Sequence, residues 1–180
     1  MQMAKQEFGG ATEQQCARTS KTPDPKHQNA RSVIALKVRG YHIDGFGHVN
    51  HARYFEFLEE ARWAFFEDWP ALTAALHARG IIHAVVNITI DYKSQATVGD
   101  LLSIETEPIR VGNSSLVVAQ SIKQAGSGKL VVSAKITNVF LDSTAGKAIS
   151  VRDDFMTHWP GLGSLRRSDR RHGIHDRAGG

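Results

Sequence analysis

Residues 82–142 carry four consecutive strand-like stretches, and the connections between them leave no room for a helix. The stretches are IHAVVNITIDYKS, DLLSIETEPIRV, SSLVVAQSIKQ and KLVVSAKITNVFLD, rich in β-branched residues and separated in part by VGN and AGSG turn signals. Parallel neighbours need a crossover of a dozen or more residues, so strands joined this tightly pair antiparallel. A sheet built this way has one face to bury, and the chain before it must supply the cover.

That cover is legible between His51 and about Asp68. Tyr54, Phe57, Leu58, Ala61 and Phe65 recur at the three- and four-residue spacing of one buried helical stripe. Arg53, Glu56, Glu59 and Arg62 occupy polar positions among them. Asn50 is placed to cap the first turn, and Pro70 stops the helix after Trp69. A short second helix, ALTAALHAR, ends at Gly80. Ahead of the long helix, VIALKVR (33–39) reads as a strand, followed by the loop YHIDGFGHVN. After the last long strand come a DSTAGK turn, a short strand candidate AISV and a closing helix RDDFMTHW. The expectation is an α+β domain over residues 32–160, with a curved antiparallel sheet wrapped around a central long helix. Such a sheet has edges, and edge strands favour pairing between subunits.

Charge narrows the function. The formal net charge of +4 invites a nucleic-acid reading, but the excess sits at the two ends. Residues 1–31 hold five basic residues against Glu7, Glu13 and Asp24, and residues 161–180 hold five arginines against Asp169 and Asp176. The segment between them is slightly acidic, so no specific nucleic-acid platform is expected there. Residues 1–31 lack periodic hydrophobicity and read as a flexible leader without a signal core, and residues 161–180 as a basic flexible tail. No apolar run approaches the ~20 residues of a membrane span, and a cytoplasmic location is the default expectation. Cys16, the one cysteine, lies in the leader and can form neither an internal disulfide nor a cysteine-based metal site within one chain.

Reactive side chains concentrate in residues 41–56, YHIDGFGHVNHARYFE. Asp44 lies in a glycine-containing loop, with His48 four and His51 seven residues later, at the expected helix start. The first turn of a helix presents amides without intrahelical partners and the positive end of the dipole, which suit an oxyanion. An aspartate beside that turn can attack a carbonyl or deprotonate water, which suits ester or thioester cleavage. Taken singly, each residue has a plainer reading. Asp44 could be a loop cap, His48 and His51 surface groups, Tyr54 core, and Glu56 a partner of Arg53. Histidines 42, 48 and 51 with Asp44 could also ligate zinc, although no HExxH pair is present and the expectation is no metal and no cofactor. Walker A, GxSxG and GxGxxG sequences are absent as well.

The stretch Lys37 to Trp63, KVRGYHIDGFGHVNHARYFEFLEEARW, resembles the hotdog-fold acyl-CoA thioesterases of the 4-hydroxybenzoyl-CoA thioesterase type, with the bacterial thioesterase III (long-chain acyl-CoA) group most alike. VVNITIDYKSQA and GDLLSIE continue the likeness, which spans roughly residues 33–155. The resemblance implies a hotdog fold and hydrolysis of fatty acyl-CoA to free acid and coenzyme A. It also implies a homodimer or homotetramer with active sites at the subunit interface. Asp44 falls on the family's catalytic aspartate and the amide near His51 on its oxyanion donor. HVNH stands here where thioesterase III is similar to HVNN. A histidine at position 51 resembles instead the Tol–Pal-associated acyl-CoA thioesterases, in which it assists catalysis. Asp44 and His51 are therefore the expected catalytic pair, with His48, Asn50, Tyr54 and Arg53 as substrate-binding candidates. Arg53, Lys93 and Arg110 are candidates for the coenzyme A phosphates by charge and position. Two other functions remain on the same fold: a non-catalytic acyl-CoA binder or sensor, and an enoyl-thioester hydratase or dehydratase.

Overall fold

A computed structural model describes residues 31–159. The basic tail, Cys16 and the leader, except Arg31, lie outside the described residues. Strand β1 (Ser32–Lys37) leads through a 3-10 turn (Gly40–His42) and a loop into helix α1 (Arg53–Glu67). Helix α2 (Pro70–Ala78) follows, then strands β2 (Ile81–Tyr92), β3 (Leu101–Val111), β4 (Ser115–Gln124) and β5 (Leu130–Asp142), and helix α3 (Arg152–His158). The five strands form one antiparallel sheet in the order β1-β3-β4-β5-β2. The α+β expectation holds, and each expected long strand is present to within two residues at either end.

The stripe read from the sequence is the buried face of α1: Tyr54, Phe57, Leu58, Ala61 and Phe65 are all buried. Full burial of a side chain such as Leu58 or Phe65 stabilises by roughly 1.5–3 kcal/mol before entropy is counted. Facing them across the sheet are Leu102, Ile104, Leu116, Val118, Ile122 and Ile136. Helix α1 lies mainly against β1 and β3, to one side of the sheet. The inward-facing residues of β2 are covered less well: Val85 is 41% and Tyr92 45% exposed.

Three local expectations shift. β1 ends at Lys37 rather than Arg39, because the chain turns there and the Arg39 N–H donates to Nδ1 of His42. AISV forms a single bridge, Ala148 to Leu141, instead of a strand. Arg62, read as one of the helix's polar positions, is buried. Its Nη1 donates to Oε1 of Gln120 at 3.1 Å. The Gln120 amide donates in turn to the Leu58 carbonyl (2.9 Å) and to the Thr106 hydroxyl (2.8 Å). This network fixes the position of α1 on β3 and β4, since a polar group this buried is costly unless it is hydrogen-bonded.

Two further features concern β2. Among the described residues it is an edge strand of 12 residues, paired only with β5, and it exposes Ile82, Val85 and Val86. A β-bulge interrupts its ladder between Val85 and Asn87. Beside the bulge, Asn138 of β5 is fully buried, and among the described residues both polar atoms of its side chain lack a partner.

Candidate active site

The loop before α1 is a tight hairpin closed by a bridge between Ile43 and Val49. The Asp44 N–H donates to the His48 carbonyl (3.0 Å) and the Gly47 N–H to the Asp44 carbonyl (3.1 Å). Gly47 sits at φ 84°, where a Cβ would be strained, which is why glycine suits this turn. The hairpin aims the Asp44 side chain: Oδ1 accepts the Phe46 N–H at 2.9 Å, and Oδ2 stands 3.5 Å from Nδ1 of His48. One carboxylate oxygen is therefore held by backbone while the other keeps open coordination. The aspartate side chain is 19% exposed and that of His48 38%. Both can meet a ligand from solvent.

The helix entry follows directly. Asn50 Oδ1 accepts the Ala52 N–H at 2.9 Å, and the Asn50 carbonyl accepts the Arg53 N–H at 2.9 Å. Asn50 thus caps a leading turn, and regular α-helix begins at Arg53, two residues later than the sequence suggests. Among the described residues the His51 N–H makes no hydrogen bond, and its imidazole, exposed, makes none either. The backbone of His51 is pinned from the other side: the Tyr92 hydroxyl donates to its carbonyl at 3.2 Å. Tyr92, at the end of β2, thus reaches the helix start, a contact that the sequence pattern does not announce. It lies within VVNITIDYKSQA, where no local pattern shows which way it points.

The remaining candidates divide. Tyr54 is buried and packs on Tyr92 (5.7 Å between ring centroids) and Phe57 (5.9 Å), and burial pushes its phenol pKa up. Arg53 is engaged by Glu56, with Nη1 2.7 and 2.9 Å from its two oxygens. Lys93 follows Tyr92 at the same end of the sheet, 3.5 Å from the Asp91 carboxylate. Arg110 stands nine residues along β3 from Leu101, whose end of the strand adjoins the Asp44 loop. At ~3.3 Å per residue that is about 30 Å away, so Arg110 is not brought to this site. His42 is buried, edge-on to Phe57 at 4.8 Å, and desolvation followed by the Arg53 charge lowers its pKa. It belongs to the core rather than to the reacting groups. No three His, Cys, Asp or Glu side chains converge as a metal group among the described residues.

A second concavity lies at the other end of α1. A cleft of about 780 Å³ opens between the last turns of α1, helix α2 and the start of β2. Its wall is aromatic: the His83 ring lies 4.7 Å from Phe66, 5.5 Å from Trp63 and 6.0 Å from Phe140. Burial, then the Arg62 charge, lowers the His83 pKa, which favours the neutral ring. No sequence pattern marks this cleft, because its lining residues, Phe140 apart, lie between Trp63 and His83 but are turned toward one another only by the packing of α1, α2 and β2.

Residues 38–158 match the family model described as the thioesterase-like superfamily. Over 119 residues the chain is 40% identical to the long-chain acyl-CoA thioesterase FadM of Escherichia coli K12, covering 66% of this chain and 89% of that protein. It is 33% identical over 96 residues to the acyl-CoA thioester hydrolase YbgC of Escherichia coli O6:H1, covering 52% of this chain and 72% of that one. The crystal structure of the probable thioesterase YbaW from Escherichia coli superposes with a TM-score of 0.63 at 34% identity, covering 73% of this chain and 98% of that chain. A 1,4-dihydroxy-2-naphthoyl-CoA thioesterase from Synechocystis, at 18% identity and a TM-score of 0.64, covering 76% of this chain and 98% of that one, shares the fold. With an aspartate hairpin feeding the helix start and this match along most of its length, the chain belongs to the thioesterase-like (hotdog) superfamily.

Proposed function

We propose that this protein hydrolyses fatty acyl-CoA thioesters to free fatty acid and coenzyme A, using Asp44 and no cofactor. The observation that carries the reading is the Asp44 hairpin: it holds one carboxylate oxygen, leaves the other open, and delivers the chain into a helix start whose His51 N–H is uncommitted. In this reading the thioester oxygen accepts that N–H as negative charge develops on it. The carbonyl carbon is attacked either by the Asp44 carboxylate or by water that Asp44 deprotonates. The thiolate of coenzyme A leaves, and in the first route water then cleaves the mixed anhydride. The His51 imidazole assists proton transfer at the mouth of the site. His48 orients Asp44, Asn50 holds the oxyanion turn in shape, Tyr54 and Tyr92 back it, and Arg53 lies near the coenzyme A phosphates. The fatty acyl preference draws on the long-chain activity named for the Escherichia coli relative.

The same reading includes a homodimer, with a tetramer as a further step, and a cytoplasmic location. What supports the dimer is β2, a long strand whose outer hydrogen-bonding side is unpaired among the described residues and which exposes three aliphatic residues. Unpaired edges of this kind are templates for pairing with a second copy.

The test is thiol release from acyl-CoAs of graded length, with loss of enoyl absorbance followed in parallel. Thiol release at saturating rates is the expected result. Tight binding without release would favour a sensor, and consumption of the enoyl group without thiol would favour a hydratase. A single turnover in isotopically labelled water then separates the two routes, because only the anhydride leaves label in Asp44.

A further inference from the structure

The aromatic cleft at the C-terminal end of α1 has no role in the chemistry above, and within one protomer it lies far from it. α1 has 15 residues, so its two ends are about 20 Å apart. Strand β2 runs antiparallel to the helix. Its last residue, Tyr92, touches His51 at the helix start, and its third residue, His83, packs on Trp63 and Phe66 in the last turns.

This arrangement acquires a meaning once β2 pairs with its own copy. Keeping both α1 helices on one face of a continuous sheet requires a two-fold axis perpendicular to the sheet, and that axis makes the β2 pair antiparallel. A pairing centred on the strand's midpoint, at the bulge, sets Tyr92 opposite the first residues of the partner's strand. The partner's cleft therefore comes to lie beside this protomer's helix start, while the protomer's own cleft stays a helix length away.

We propose that the distal end of an acyl chain cleaved at Asp44 of one protomer is bound in the partner's cleft, against the partner's Trp63, Phe66 and His83. The inference rests on the dimeric acyl-CoA hydrolase reading above and adds to it the residues that set chain length. The cleft suits a hydrocarbon end. Burial holds the His83 ring toward the neutral form, the walls are mainly aromatic and aliphatic with Glu67, Thr73 and His77 among them, and Trp63 stands 52% exposed.

Ala74, on α2, lines the cleft and is exposed, so Ala74→Trp can fill it without disturbing the core. The expected result is a roughly tenfold fall in kcat/KM for palmitoyl-CoA relative to octanoyl-CoA, the scale at which pockets discriminate apolar groups. Trp63→Ala is the opposite change, also at an exposed helical position, and should shift the preference toward longer chains. An unchanged length preference in both variants overturns the cleft assignment. Assignment to the partner is tested with a mixed dimer, isolated through two tags, of one Asp44→Asn chain and one Ala74→Trp chain. Its intact carboxylate and its filled cleft are then on the same chain. About half of the wild-type activity on palmitoyl-CoA should survive, because one intact site faces an open cleft across the two-fold axis. Loss of that activity, with octanoyl-CoA still cleaved, would mean that the acyl chain stays within one protomer. A wild-type chain that releases no thiol, or is a monomer while active, sinks the underlying reading and the proposal with it, a result distinct from an unchanged length preference.

Discussion

At its N-terminal end α1 emerges from a hairpin whose polar groups are held by backbone amides and remain open to solvent. At its C-terminal end it runs into a cluster of rings held by packing alone. The first end specifies direction: an N–H on Asp44 Oδ1 and another on Asn50 Oδ1 fix where side chains point, at little cost in core volume. The second specifies shape: Phe65, Phe66, Phe155 and Trp159 contact one another directly or in series and exclude water without aiming any particular atom. In the proposed reading the reacting groups lie at the first end and the ring cluster supports the fold at the second, so Asp44 and Phe65 should respond differently to substitution.

The largest separation is expected from Asp44→Asn. Asparagine keeps an oxygen for the Phe46 N–H but loses the charge. kcat/KM should fall by about a thousandfold, roughly 4 kcal/mol, with the melting temperature nearly unchanged. Thiol-release kinetics and a thermal melt check both halves, and unimpaired turnover would remove Asp44 from the mechanism. Phe65→Ala at the other end should do the reverse. It should cost about 3 kcal/mol in denaturant unfolding and leave the surviving folded enzyme near wild-type specific activity. A smaller effect is expected from His51→Asn, about tenfold in kcat/KM with little stability change, since the residue is exposed and its imidazole makes no hydrogen bond among the described residues. Wild-type turnover in this variant would return His51 to the status of a surface residue.

Two predictions concern stability alone. Asn138→Leu removes two buried, unpartnered polar atoms and should stabilise by about 1 kcal/mol in a urea melt. A loss instead would show that an enclosed water partners the carboxamide. The smallest effect is on pH. His83 and His42 both have pKa values lowered below the ordinary 6.5, mainly by burial. The unfolded chain therefore takes up protons first as pH falls. Stability should be full above about pH 6.5 and decline below it, down through the lowered folded values. His83→Phe should flatten that decline, as read from urea midpoints at a series of pH values, and an identical slope would exclude His83 as a contributor.

The contrast also separates what the sequence discloses from what it does not. The α1 stripe, the strands and the Asp44 loop are local patterns: periodicity, turn residues and a compact block of reactive groups. Arg62 shows the limit. Its spacing is that of a solvated position, and its partner Gln120 lies 58 residues away on β4, so nothing near it in the chain announces burial. Asn138 and His83 are alike in this, polar residues in apolar strands whose surroundings come from helices elsewhere. Regular helix starts two residues after the position that the spacing predicts, because Asn50 caps a turn rather than the helix proper. Direction along one element is readable, whereas facing between elements is not.

The bulge in β2 has a consequence for which residues can meet. His83 and Tyr92 are nine positions apart, an odd interval, and on an uninterrupted strand they would point to opposite faces. Both face α1, opposite Phe140 and Val132 of β5, which are eight apart, because the bulge between Val85 and Asn87 absorbs one residue. It acts as a parity correction. Deleting Val86 would remove the extra residue and restore a regular ladder with the two rings eight apart and still on one face, whereas one residue added between them without a second bulge would turn one end of the strand over, taking Tyr92 from the His51 carbonyl or His83 from the cleft. An insertion in this strand is thus a different class of change from a substitution, since it forces a choice between the two ends of the helix unless a second bulge absorbs it.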